Sequence, residues 1–327
     1  MFSRLIIIAV ISALTALAAS LLLEKLFIPA LMRIKMGQTI LEIGPRWHKS
    51  KEGTPTMGGI FFIGAILISL LSQGIRLSIE YSDVKIWKIF CMMLGFGIIG
   101  FIDDFIKFVK KRNKGLGAMQ KLLMQFAVAA AFLFVMRNDL TTSLALPFTS
   151  ARLELGPFYW VFSLLFIAFM VNAVNLTDGI DGLASSVTFV VFIFFGAIAL
   201  MTKNATQTVL YAAICGAMLG FLFYNFYPAR VFMGDTGSLF LGGALVGAAY
   251  WMDNPLIIVI AGGWFLWEAL SVVIQVLVFK ITKKRVFKMS PFHHHMEMSG
   301  WKEPGIVICV VLITASLCAL SYFAYIY

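Results

Sequence analysis

Residues 86–107 read IWKIFCMMLGFGIIGFIDDFIK: an apolar run that ends on two adjacent carboxylates, Asp103 and Asp104. A bilayer's hydrocarbon core takes about 20 helical residues, so this stretch reads as a transmembrane helix. Carboxylates at its end are costly unless a cation, a hydrogen-bond partner or water offsets them. The pattern repeats along the chain. Apolar runs recur at roughly 4–31, 57–72, 86–107, 118–136, 157–174, 185–201, 207–224, 236–252, 254–279 and 304–325. The second is short and the ninth long.

Composition agrees. The chain is 61% hydrophobic and 13% charged, with mean hydropathy +0.92; soluble globular chains carry about 25% charged residues. No polar interruption is long enough for a soluble domain. The expected architecture is an all-α integral membrane protein, one polytopic domain over residues 1–327 with about ten transmembrane helices. Arg4, an apolar stretch and Ala16-Leu17-Ala18 resemble a cleavable signal. The run continues through Leu31, however, and reads as a retained first helix. Cys91, Cys215, Cys309 and Cys318 all lie in apolar runs without a CxxC pair, which points to free buried thiols. Gly216/Gly220 and Gly243/Gly247 have the spacing of helix-packing pairs.

Basic residues set the orientation, because lysine and arginine concentrate in short cytoplasmic loops. The loops after the odd-numbered runs hold 18 of them and the opposite set, with both termini, holds 6. Both termini are therefore expected outside the cytoplasm. The same count puts three acidic blocks on the cytoplasmic face: Asp103-Asp104, Asp178 with Asp181, and Asp235. These five are among sixteen acids in the chain. The basic loops 107–121 and 280–303 share that face, where part of the +10 net charge would attract phosphates. The positive-inside rule explains most of the basic residues, but not the carboxylates.

Each block has a plain structural reading beside a chemical one. Asp103 and Asp104 point about 100° apart on a helix; they could mark the water interface, or divide between a ligand and a nearby lysine. In NAVNLTDGIDG, residues 172–182, polar side chains recur every three positions and two Asp-Gly steps then break the helix. Such a segment suits a sugar, a uracil edge or a hydrated divalent ion, or it is a capping turn. In FMGDTGS, residues 232–238, Asp235 could cap the next helix or bind metal. His293, His294 and His295 cannot all reach one ion from a regular helix; imidazole there can bond phosphate or move protons. Lys49 and Thr54, before Gly58-Gly59, could hold a phosphate. Glu268 lies inside the long ninth run, which could tilt or break and leave a groove for a lipid chain; the residue could also be a packed interior acid.

Taken together, DD at 103–104, NxxNxxDGxDG at 172–182 and GDTGS at 234–238 resemble the polyprenyl-phosphate N-acetylhexosamine-1-phosphate transferases. TPTMGG at 54–59 and the histidine triplet resemble, within them, the bacterial phospho-N-acetylmuramoyl-pentapeptide transferases. The resemblance implies a multi-pass enzyme of the bacterial cytoplasmic membrane, with its active site on the cytoplasmic face. In that reaction undecaprenyl phosphate attacks UDP-MurNAc-pentapeptide, giving lipid I and UMP. Mg²⁺ on Asp235 and a homodimer are also implied; a nucleic-acid partner is not. By the same resemblance Asp103 is the base or orienting carboxylate, with Asp104 and Lys121 paired nearby, and His294 counts among the catalytic candidates. Asn172, Asn175, Asp178, Gly179, Ile180 and Asp181 would line the nucleotide and pyrophosphate site, with Phe232 against the uracil. Gln275 and the three histidines would face the sugar or phosphate, and Lys49 and Thr54 would also bind substrate. Direct displacement is favoured over an aspartyl intermediate. Asp235→Asn is expected to remove activity, and Glu303→Gln to change little. A transferase for a simpler UDP-N-acetylhexosamine and a secondary transporter are the competing readings. Transporter sites lie near the bilayer midplane, whereas these blocks cluster at one face.

Overall fold

The computed structural model describes residues 2–33, 51, 53–110, 112 and 114–326. Its helices are α1 (Phe2–Arg33), α2 (Gly59–Ser69), α3 (Ile75–Glu80), α4 (Lys85–Val109), α5 (Ala118–Met136), α6 (Phe158–Thr177) and α7 (Leu183–Met201). They continue with α8 (Ala205–Asn225), α9 (Gly234–Trp251), α10 (Ile257–Ala261), α11 (Gly263–Thr282), α12 (Phe292–Glu297) and α13 (Glu303–Ile326). Between α5 and α6 lies a small antiparallel hairpin, β1 (Ser143–Ala145) and β2 (Arg152–Glu154). Among the described residues, 9 helices are long and apolar enough to cross a membrane. The 18-residue α9 is the tenth candidate.

Two runs depart from their sequence outlines. The second does not stop at Ser72: a π turn over Leu70–Gly74 joins α2 to α3, and Gly59–Glu80 makes one span of 22 residues. A π turn absorbs a local irregularity without ending the helix, here at Ser72-Gln73-Gly74. The ninth run does break. Gly262-Gly263, a weak pair for helix propagation, separates the five-residue α10 from α11. Buried residues of α11 are confined to Trp264–Ser271, and beyond them Val276, Leu277, Phe279 and Ile281 stand exposed.

Helix α9 is the hub: every residue from Thr236 to Trp251 is buried. Its contact with α4 is close because Gly243 and Gly247 meet Met93, Phe96 and Ile89 without a Cβ between them, and Gly216 and Gly220 do the same for α8 on α1. Both spaced pairs thus serve packing. The four cysteines are free thiols, but only Cys318 is buried; Cys91 is exposed on the helix surface. At one end of the bundle, ion pairs Arg4–Glu80 and Lys88–Asp139 join helix ends, and Arg152–Asp253 ties the hairpin to the end of α9. The three acidic blocks meet at the other.

Candidate active site

The site is built where α4 crosses the start of α9. Gly100 allows the crossing: a Cβ there would sit 2.0 Å from the Asp235 carbonyl oxygen. One turn further along α4, Asp104 is buried and reaches the N-terminus of α9. Its Oδ1 accepts from the Asp235 N–H at 3.2 Å, and its Oδ2 accepts from the Thr236 N–H at 2.9 Å and the Thr236 hydroxyl at 2.8 Å. A helix N-terminus leaves backbone donors unpaired, and α9 has no side-chain cap of its own. Asp104 supplies it from another helix. Gly234 takes φ +70°, and a Cβ there would lie 2.5 Å from Asp104 Oδ2.

That cap decides between the two readings of Asp235, whose side chain is left free of capping. Its Oδ2 receives Lys107 Nζ at 3.0 Å and Lys121 Nζ at 2.9 Å, and its Oδ1 receives Asn175 Nδ2 at 2.9 Å. Asn175 also donates to Ser238 Oγ at 2.7 Å. Asp103 diverges from Asp104 as adjacent helical residues must. It accepts from the Leu116 N–H at 2.7 Å and pairs with Lys107 at 2.6 Å. The resemblance paired Asp104 with Lys121; here Lys121 pairs with Asp235, because Asp104 is turned toward α9. Lys107 stands among all three carboxylates, 3.6 Å from Asp104. Sequence reading passed over this lysine, although its i,i+4 spacing from Asp103 places both on one helix face.

One oxygen from each of Asp103, Asp104 and Asp235 lies within 4.8 Å of the others. An all-carboxylate donor set suits a hard divalent cation. Asp104 commits both oxygens to the start of α9, whereas the partners of the Asp235 carboxylate are all side chains and Asp103 has one oxygen on Lys107, so Asp235 and Asp103 fit ligation better. A cation bound there would share its space with Lys107.

The Asn172–Gly182 block divides by depth. Asn172 pairs reciprocally with Gln125 of α5, at 2.6 and 3.3 Å, one turn inside the site. Asp178 ends α6, half-buried, and among the described residues its carboxylate has no hydrogen-bond partner. Lost hydration pushes that carboxyl up to about 8, and the charges of Asp235, Asp104 and Asp181 push the same way. Ile180 and Asp181 are buried. Asp181 accepts from Lys51 Nζ at 2.6 Å and from the Ala229 N–H at 2.9 Å. Lys51 also meets Glu303 at 2.6 Å, and Glu303 accepts the Asp181 N–H at 3.1 Å. Glu303 is therefore buried in the support of the site rather than a bystander. Lys49 lies outside the described residues. Thr54 begins a segment that pairs with residues 232–233: the Phe232 N–H donates to Pro55 O, the Gly58 N–H to Phe232 O and the Gly59 N–H to Met233 O. Half-buried Phe232 is thereby held beside the start of α9.

The histidines take three separate positions on α12. His293 is fully buried against Glu268, His294 Nδ1 lies 2.6 Å from Glu297, and His295 packs among Phe287 and Phe292 while accepting the Lys288 N–H. Gln275 accepts the N–H groups of Val286 and Phe287 and so anchors the basic loop.

Comparison with known proteins supplies the family. Residues 86–253 match glycosyl transferase family 4, and residues 51–63 match the phospho-N-acetylmuramoyl-pentapeptide-transferase signature 1. The chain is 43% identical over 313 residues to the phospho-N-acetylmuramoyl-pentapeptide-transferase of Clostridium kluyveri, covering 95% of this chain and 97% of that protein. The protein of the same name from Halalkalibacterium halodurans is 46% identical over 290 residues, 88% of this chain and 89% of that protein. A third, from Thermoanaerobacter sp., is 43% identical over 324 residues and covers 99% of both. The match thus runs the length of the chain and includes every acidic block of the site. The chain belongs to the phospho-N-acetylmuramoyl-pentapeptide-transferases of glycosyl transferase family 4.

Proposed function

We propose that the protein transfers phospho-MurNAc-pentapeptide from UDP-MurNAc-pentapeptide to undecaprenyl phosphate, releasing UMP and forming lipid I, at the cytoplasmic face of the bacterial inner membrane. The observation that carries this reading is the meeting of Lys107 and Lys121 on Asp235 at the end of a membrane bundle, in a chain similar over its full length to enzymes of that name.

A pyrophosphate under attack gathers negative charge, which positioned ammonium groups stabilise. Lys107 and Lys121 are those groups, and Asp235 and Asn175 fix where they stand. Asp103 orients the lipid phosphate through Lys107. The attacking oxygen forms its bond to the sugar-linked phosphorus as the bond to the UMP oxygen breaks. That oxygen is largely ionised at neutral pH, since a phosphate monoester's second pKa is about 6, so direct displacement needs no strong base. Mg²⁺, held by Asp235, supplies Lewis-acid polarisation of the pyrophosphate when bound. Phe232 and the turn from Asp178 to Asp181 take the nucleotide, with Thr54 at their edge. His294 and His295 face the sugar side. The exposed apolar side chains on the second half of α11 offer the prenyl chain a surface to lie on. Both termini lie outside the cytoplasm, and assembly as a homodimer rests on family resemblance.

The test uses purified protein, undecaprenyl phosphate and Mg²⁺, with UDP-MurNAc-pentapeptide and UDP-GlcNAc as alternative donors. UMP release together with label entering an organic-extractable lipid is expected from the first donor alone. Turnover of UDP-GlcNAc instead would favour the simpler hexosamine transferase. Neither product, with substrate flux across vesicles, would favour a transporter.

A further inference from the structure

Glu268 is the one acid of the ninth apolar run, and the proposed chemistry makes no use of it. Its side chain is 0% exposed, as is that of His293. A carboxylate so enclosed is costly unless hydrogen-bonded. Among the described residues only His293 bonds it: the His293 N–H donates to Oε2 at 3.3 Å, and Nδ1 lies 3.1 Å from the same oxygen. Whichever group carries the proton of that bond, the contact of Nδ1 with Oε2 fixes the ring's orientation. Aromatic contacts of Trp264 and Trp267 with Phe292 hold α12 on α11 around the pair.

The far edge of the imidazole abuts the Asp178–Gly179 turn. A Cβ on Gly179 would meet His293 Nε2 at 2.1 Å and Cε1 at 2.6 Å. The ring occupies the volume that any side chain at position 179 would need. The preceding residue is Asp178, whose side chain no hydrogen bond holds among the described residues, so its place depends on the backbone of this turn. We infer that Glu268 is a positioning residue: through the buried His293 ring it sets the Asp178–Gly179 turn, and with it the recognition of the UDP-linked donor. The part concerning the donor rests on the proposed function; the mechanical link from Glu268 to the turn does not.

Two measurements separate these. The first is amide hydrogen exchange over residues 178–183 of the intact protein without substrate. Exchange is expected to speed up in Glu268→Ala and to return toward wild type in Glu268→Gln, which keeps an acceptor oxygen. Unchanged exchange in Glu268→Ala would overturn the inference whatever the wild type does with a UDP-sugar. The second is steady-state kinetics in variants whose thermal unfolding shows them folded. Loss of this buried hydrogen bond predicts a rise in donor KM of about tenfold in Glu268→Ala. The KM for undecaprenyl phosphate should stay close to wild type. Equal rises in both KM values, or a fall in kcat alone, would overturn the donor-specific role. Gly179→Ala should raise donor KM likewise, yet add nothing in a His293→Ala background, where the ring it strikes is gone. Full additivity would show that the ring does not set the turn. A wild-type protein that releases no UMP would defeat the proposed function and leave the exchange result standing.

Discussion

Replacing Asp104 separates a helix cap from a metal ligand. Asp104→Ala leaves the Asp235 and Thr236 N–H groups and the Thr236 hydroxyl without their acceptor. Thr236 is 3% exposed, so its N–H cannot turn to water, whereas half-buried Asp235 retains some access and the hydroxyl can rotate. One stranded buried donor and one weakened hydroxyl, at about 1–3 kcal/mol for the first and about 1 kcal/mol for the second, put the cost near 3 kcal/mol. Asp104→Asn keeps a single oxygen. Turned toward Thr236, it preserves two of the three bonds but opposes its amide to the Asp235 N–H, for about 1–2 kcal/mol. Denaturant unfolding in detergent micelles, followed by tryptophan fluorescence, should rank the proteins wild type, Asn, Ala. Manganese titration by electron paramagnetic resonance should meanwhile leave Asp104→Asn within a few-fold of wild type and Asp235→Asn with little bound ion. The opposite pattern, wild-type stability in Asp104→Asn with metal binding lost as fully as in Asp235→Asn, would refute the cap.

Four further outcomes follow from the same geometry. Asp235→Asn should abolish UMP release without rescue by excess Mg²⁺, because two lysines lose their shared counter-charge; near-normal turnover would sink its central role. Gly100→Ala drives a methyl into the Asp235 carbonyl, a backbone that cannot give, and should cost about 3 kcal/mol or more. Gly196→Ala, with nothing within 4 Å, should be neutral or stabilising by about 0.5–1 kcal/mol; equal losses in both would remove the close-approach argument. Asp178, pushed up to about 8, is neutral below that pH and can donate a hydrogen bond. Above it the charged form repels donor phosphate. Donor KM should therefore rise as pH passes through about 8, and Asp178→Asn should flatten the profile; an unchanged slope would assign it to another group. Glu303→Gln was expected from sequence to be harmless, but its bonds to Lys51 and the Asp181 N–H predict a loss of about 1–2 kcal/mol in unfolding free energy. Wild-type stability would show Lys51 to be satisfied by Asp181 alone.

The spans were legible because burial in hydrocarbon is scored locally, residue by residue. Residues 118–136 begin and end in the structure where their apolar run does. Misreadings arose where continuity depends on backbone adjustment, as at the π turn after Ser69. The candidate site was legible only as a set of residue types. Asp103 and Asp104 differ by one position, and no local pattern says which caps a distant helix and which anchors Leu116. Lys107 was hidden among the many basic residues that membrane orientation already explains. Three adjacent histidines read as one motif, yet each has its own partner, because successive residues on a helical turn point in different directions.

Sequence by itself determined that this chain is a bundle of about ten apolar helices and that five carboxylates end near water, since both follow from the transfer cost of each residue. Its motifs also carried the family. Only the tertiary structure decided the division of labour among the acids. The bonds that set it span long separations, 132 positions between Asp104 and Thr236 and 25 between Glu268 and His293. They exist because glycine at positions 100 and 179 lets a carbonyl and an imidazole ring come closer than any side chain would allow.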